Sequence, residues 1–278
     1  MLLAGGVAQA ATFTGTVFED EDYGGGAGRT LAASGGTVLA NVRVELYRVD
    51  NGNFVATTFT NASGFYSLSS GNTGAEMRVR VVNGSVRSAR TGGPGCTACV
   101  PVQSFRTDAT TGTAVAVTNR VGGETPGSSD AYVNPGASNY STLTAGGRVP
   151  QSITSADPAA GNSTISGIDF GFNFDTVVNI RDATNCAATN SSYPCQGSLR
   201  QFVINSNALG GEGALSQSGS GQIDGSNTFL PSGFESSIFM IPNGALTGGV
   251  AVITLAGAMT TITGGSTRLD ATTQTVNI

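Results

Sequence analysis

Four carboxylates stand together at Glu19, Asp20, Glu21 and Asp22, directly ahead of Gly24-Gly25-Gly26. Like charges crowded into one short loop repel each other, and a Ca2+ ion would relieve that repulsion through hard oxygen ligands. A solvated acidic turn is the competing reading of the same residues. Paired carboxylates also serve as acid and base in glycosidases. Asp20 and Asp22, however, have only Tyr23 beside them and no Trp or His with which to build a sugar site. The four cysteines form two local pairs, Cys96 with Cys99 and Cys186 with Cys195. Pro94-Gly95 and Tyr193-Pro194 place both pairs in loops. Two short-loop disulfides are the expectation, ahead of a four-Cys zinc site or a redox pair. No helical pattern follows Cys96 to lower a thiol pKa.

The remaining composition excludes most enzyme mechanisms. None of the 278 residues is His or Trp, and all 13 basic residues are Arg. That removes the Ser-His-Asp triad, imidazole metal sites, Schiff-base lysines and the P-loop lysine. No catalytic residue is expected. Net charge is −5 with only 11% charged residues, so no nucleic-acid partner is expected. Residues 1–11 read as an apolar run ending in Val7-Ala8-Gln9-Ala10, like the remnant of a secretory signal peptide cut after Ala10. A short apolar first strand is the alternative. No later stretch is apolar for the ~18 residues that a transmembrane segment needs. These features and the paired cysteines point to an exported, extracellular or cell-surface protein.

Periodicity supplies the frame for these groups. Phe13, Gly15 and Val17 alternate with Thr12, Thr14 and Thr16. Val42, Val44 and Leu46 alternate with Arg43, Glu45 and Tyr47, and Met77, Val79 and Val81 with Arg78 and Arg80. Phe54–Phe59 is β-branched and aromatic, and Phe65–Leu68 follows a turn at Asn61–Gly64. Short period-2 strands at regular spacing, with a hairpin turn at Asp50–Asn53, predict an all-β chain opening with an antiparallel sandwich.

Three motifs stand in order here: Gly15-Thr-Val-Phe-Glu-Asp20, Val42-Arg-Val-Glu-Leu-Tyr47 and Thr57-Thr-Phe-Thr-Asn-Ala-Ser-Gly-Phe-Tyr66. Together they resemble the B-type repeat of bacterial surface adhesins, the collagen-adhesin and serine-aspartate-repeat B domains, which are prealbumin-like sandwiches. Ile168-Asp-Phe-Gly-Phe-Asn-Phe174 resembles that family's closing strand. The resemblance implies a first domain over residues 12–175 with a long polar insertion at 91–165, or a separate small domain in that stretch. Some members carry a Lys–Asn or Lys–Asp isopeptide bond, which a chain without Lys cannot form. Others bind Ca2+ through acidic loops. For this chain that implies Glu19, Asp20 and Asp22 as ligands, with Asn61 adding an oxygen where the family often has Asp. The loop departs from the family's Asp-x-Asn/Asp-x-Asp-Gly spacing.

Beyond residue 175 one helix is expected. Ser198-Leu-Arg-Gln201 has the capping-box pattern, Leu199, Phe202, Val203, Ser206 and Leu209 form one stripe, and Gly210-Gly211 ends it. Gly197-Ser-Leu-Arg-Gln-Phe-Val203 resembles the Cys-Ser-Leu-Arg-Glu-Ala-Ile motif of bacterial surface proteins, with Gly197 for Cys and Gln201 for Glu. In those proteins a short helix precedes a right-handed parallel β-helix. Strand-like runs at 237–241, 251–255, 259–263, 267–271 and 275–278 keep a matching rhythm. Residues 176–278 are therefore expected to form a capping helix and the first coils of a parallel β-helix, with a second β-sandwich as the alternative. The rhythm breaks off at Ile278, so further coils or pairing with another chain is expected. The functional expectation is a non-catalytic structural or adhesin-like surface protein, such as a filament or stalk subunit. It would self-associate or bind other surface proteins or glycans, with 91–165 as the recognition face. The alternative is the first part of a β-helical polysaccharide lyase or hydrolase, for which Arg268, Asp270, Asp224 and Glu235 are the available groups.

Overall fold

The computed structural model describes residues 10–71, 74–118, 120–131, 137–158, 163–189, 192–219 and 230–275. Most of the signal-peptide stretch, Asp224 and the terminal 276–278 lie outside the described residues. The chain is mostly β-structure with few helices. Its strands are β1 (Thr12–Glu19), β2 (Thr37–Val38), β3 (Arg43–Arg48), β4 (Phe54–Phe59), β5 (Phe65–Ser69), β6 (Met77–Val81), β7 (Val102–Asp108) and β8 (Val115–Val117). Then follow β9 (Ser152–Ala156), β10 (Thr164–Ile165), β11 (Phe170–Asn173), β12 (Thr176–Val177), β13 (Glu235–Ser236), β14 (Ile238–Phe239) and β15 (Thr267–Arg268). The helices are α1 (Leu31–Ser34), α2 (Tyr140–Thr144) and α3 (Leu199–Ala208).

Two sheets enclose the main core. In the larger, β1 is central. Its first half pairs antiparallel with β5 on one edge and parallel with β10 on the other. Its second half pairs antiparallel with β2 and parallel with β11. Beyond β11 come β7 and β8, both antiparallel. The smaller sheet has the order β4-β3-β6-β9 and is antiparallel throughout. The arrangement is sandwich-like, but the expectation of purely antiparallel pairing fails at β1, which accepts β10 and β11 in parallel. The alternating residues fill the space between the sheets: Phe13, Val17, Val44, Leu46, Val79 and Val81 join Ile168, Phe170, Phe172 and Phe174 in one buried cluster.

The polar stretch 91–165 is woven into both sheets. It supplies β7, β8 and β10 to one and β9 to the other. It also covers the outer face of the smaller sheet, where Tyr47 packs with Ala131, Ala137 and Leu143 in a second core. Tyr47 stacks edge-on against Phe54 and Tyr140. This cover buries the face that alternation assigns to Glu45, Tyr47 and Arg80.

In the remainder, residues 235–240 form the middle line of three parallel segments. Ile238 and Met240 donate their amides to Asp175 and Val177, while Glu235 and Ser237 donate theirs to Ser266 and Arg268 on the other side. Such alternation is what a strand with two neighbours must show. β12 therefore pairs with β14, and β13 with β15. Helix α3 starts at Ser198, whose hydroxyl accepts from the Gln201 amide. The reciprocal half of a capping box is absent, because the Ser198 amide donates to Cys195 and the Gln201 side chain to Ala98. Phe202 and Val203 pack on Val177 and Ile241. No helix among the described residues is long and apolar enough to cross a membrane.

Candidate functional site

The acidic loop disperses its carboxylates. Successive residues of an extended strand point to opposite faces, and Glu19 turns inward. It is fully buried and accepts from the Ser88 hydroxyl at 2.8 Å and the Ala89 amide at 2.7 Å. Burial pushes its carboxyl up to about 7. Asp20 takes two bonds along one edge of the Arg29 guanidinium, from Nε and Nη2. The Asp22 carboxylate accepts from the Ser216 amide, and its backbone carbonyl from the Ser218 amide. Asn61 is spent in its own turn, accepting from Ser63 at 2.9 Å and Phe65 at 3.1 Å. The four expected Ca2+ ligands thus face four separate sets of donors. No group of three or more acidic or cysteine side chains among the described residues is arranged to hold a metal.

What the loop does instead is join the two parts of the chain. Tyr23 bridges Ser218 in parallel, and the Gly26 amide donates to the Thr275 hydroxyl at 2.9 Å. A Cβ on Gly24 would lie 2.4 Å from the Ser218 carbonyl carbon, so only glycine permits this approach.

Both expected disulfides are present. Cys96–Cys99 and Cys186–Cys195 have Cα separations of 5.4 and 5.0 Å. The first braces the surface that receives α3: Gln201 donates to the Ala98 carbonyl and Asn205 to those of Val100 and Phe174.

Of the acidic groups available for sugar chemistry, Asp20, Glu235 and Asp270 are buried, and Asp224 lies outside the described residues. Glu235 and Asp175 are buried against one guanidinium, with Arg90 Nη1 at 2.7 Å from Glu235 and 3.1 Å from Asp175. Burial raises the Asp175 carboxyl well above its usual range. Gln217 donates to Asp175 and also holds the Ser236 amide. Asp270 pairs with Arg268 at 2.7 Å and caps the turn after it through the Thr272 amide.

A second buried cluster went unread in the sequence. Arg80 is fully buried, 2.8 Å from Glu45 and 3.4 Å from Asp130. Tyr47 and Arg43 also donate to Glu45 at 2.8 Å. Its only sequence signal is an Arg in a strand whose outer face turns out to be covered.

The exposed feature is apolar. Phe234, Val250, Val252, Leu255, Ile262 and Leu269 are all at least 41% exposed and lie within one stretch of chain. Residues 251–255 and 259–263 form no ladder with any described strand. No charged residue occurs between Glu235 and Arg268. A groove of about 400 Å3 runs beside Phe239, Val250, Ala251 and Ile253.

No protein-family model matches the chain, and no curated protein matches it in sequence.

Proposed function

We propose that this chain is an exported, non-catalytic surface protein that assembles with further copies through strand addition along its C-terminal part. In this reading a prealbumin-like sandwich carries the first coils of a right-handed parallel β-helix, with α3 as its cap, in a filament or stalk. The observation that carries it is the uncharged apolar stretch 250–263. Exposed segments open to strand addition are usually blunted by Lys or Pro, and this unpaired stretch carries neither. Parallel pairing at β12–β14 and β13–β15 supports a stacked-coil continuation. Two disulfides support an oxidising compartment.

Sedimentation velocity and negative-stain microscopy test assembly directly. Wild-type protein should grow with concentration into elongated particles. Val252→Lys, which places a charge on this exposed stretch without touching the core, should hold it monomeric with unchanged circular dichroism. A wild-type protein that stays monomeric at every concentration overturns the reading.

A further inference from the structure

Nine of the thirteen arginines are ion-paired: Arg29, Arg43, Arg48, Arg80, Arg90, Arg106, Arg120, Arg200 and Arg268. Arg78 lies over the Tyr140 ring at 4.5 Å. That leaves Arg87, Arg148 and Arg181 without a carboxylate among the described residues, and two of these three line one groove. Arg148 and Arg181 face a space of about 330 Å3 together with Gly127, Ser128, Ser129 and Ser192.

Both guanidiniums are held by backbone carbonyls. Arg181 donates to Gly127 and Gln196, each at 2.6 Å, and Arg148 donates to Thr142 at 2.7 Å. Carbonyls orient a guanidinium but leave its full positive charge in place. The Nε atoms of both residues are buried with no partner among the described residues. Acids close by in the chain are already committed. Asp182 binds Arg200 through two bonds of 2.7 and 2.8 Å, Asp130 faces Arg80, and Glu124 takes Arg106 and Arg120. Burial pulls the Arg181 guanidinium down from its ordinary range with no carboxylate offsetting it. A protein of net charge −5 thus keeps, in one polar concavity, two cations that no carboxylate among the described residues compensates.

We propose that this groove binds an oxoanion, a carboxylate or sulfate group, with Arg148 and Arg181 supplying charge and the serine hydroxyls supplying further hydrogen bonds. Two like charges on one groove favour an anion between them, and fork-shaped guanidinium donors match planar and tetrahedral oxygen groups. The cavity volume is at the small end for ligand sites and suits one sugar-sized acidic group. The group can belong to an acidic polysaccharide or be a free anion, and both arise from the same chemistry. The site is separate from stretch 250–263, so its test is independent of assembly.

Titration calorimetry with polygalacturonate oligomers, sodium sulfate and neutral dextran separates these sources. The oligomers should bind with an affinity that falls as salt rises, and dextran should not bind. Binding of sulfate as tight as that of the oligomers assigns the site to free anions and still supports it. Arg148→Gln and Arg181→Gln should each weaken binding about tenfold or more. Because Arg181 also ties two carbonyls, Gly127→Leu is the second probe. A Cβ there meets nothing within 4 Å, so this variant should fill the groove and abolish binding at unchanged melting temperature. The proposal is overturned if neither oligomers nor sulfate bind, or if all three variants bind like wild type.

Discussion

Glu19 sits where a strand of the core meets its loop, and its burial outweighs the two hydrogen bonds that favour its charged form. The folded protein therefore holds this proton more tightly than the unfolded chain. Stability from Glu19 is full below its unfolded value near 4.5 and declines as pH rises through about 7. The difference corresponds to about 3 kcal/mol. Urea unfolding at pH 5 and pH 8 should show wild type losing stability on that scale and Glu19→Gln losing clearly less. Equal losses would contradict the assignment. Asp20, Asp130 and Asp175 are raised by burial in the same direction, so some decline should remain in the variant. None of this was legible in the sequence. Clustering of Glu19 to Asp22 signalled mutual repulsion, whereas their partners, Ser88, Arg29 and Ser216, are set by chain crossings that local spacing does not encode. The cysteine pairs were legible because both partners lie within one loop. Arg80 and Glu45 were not, since Asp130, which completes their cluster, arrives with the cover over the smaller sheet.

Helix α3 works as a two-sided clamp. Gln201 and Asn205, one turn apart, hold residues 98–100 and the end of β11. Arg200 and Asn207, two turns apart and so on a shared face, hold the C-terminal stretch. Arg200 donates to the carbonyls of Gly257 and Ala258, and Asn207 bonds Thr261, Thr263 and Gly264. Replacing both Arg200 and Asn207 by Ala should accelerate amide exchange over 256–264 by about tenfold or more and leave β1 and β11 protected. Unchanged exchange would remove the clamp. This helix was readable from its Ser198 cap and its 3.6-residue stripe. Strands β1, β3 and β6 were readable from period 2, β4 from its β-branched and aromatic residues, and β5 from the turn before it. β7 and β9 were not, because Val102–Asp108 and Ser152–Ala156 are mostly polar strands buried by their neighbours. Runs 251–255 and 259–263 carry strand-like residues yet pair with no described strand, since pattern specifies a face and pairing also needs a neighbour.

At the scale of the whole molecule, Arg90 fastens the sandwich to the stacked segments. It comes from the loop after β6 and meets Asp175, at the end of the larger sheet, and Glu235 of β13. Arg90→Met would leave two buried carboxylates with no counter-charge, at a cost of about 3–5 kcal/mol. Guanidinium unfolding should register that loss, and a loss below 1 kcal/mol would show that the cluster is not a fastening. The placement of β1 has a consequence for how the protein is made. Thr12 meets Ser69 on one edge but Thr164 on the other, and Glu19 meets Phe172. A polypeptide appearing from its N-terminus first must keep its opening strand half-satisfied until nearly the entire sandwich sequence has followed. Distant closures of this kind are slow, and the waiting edge is open to wrong partners. Such a topology favours a chain kept unfolded until its synthesis has passed Asn173 over one that folds as it emerges.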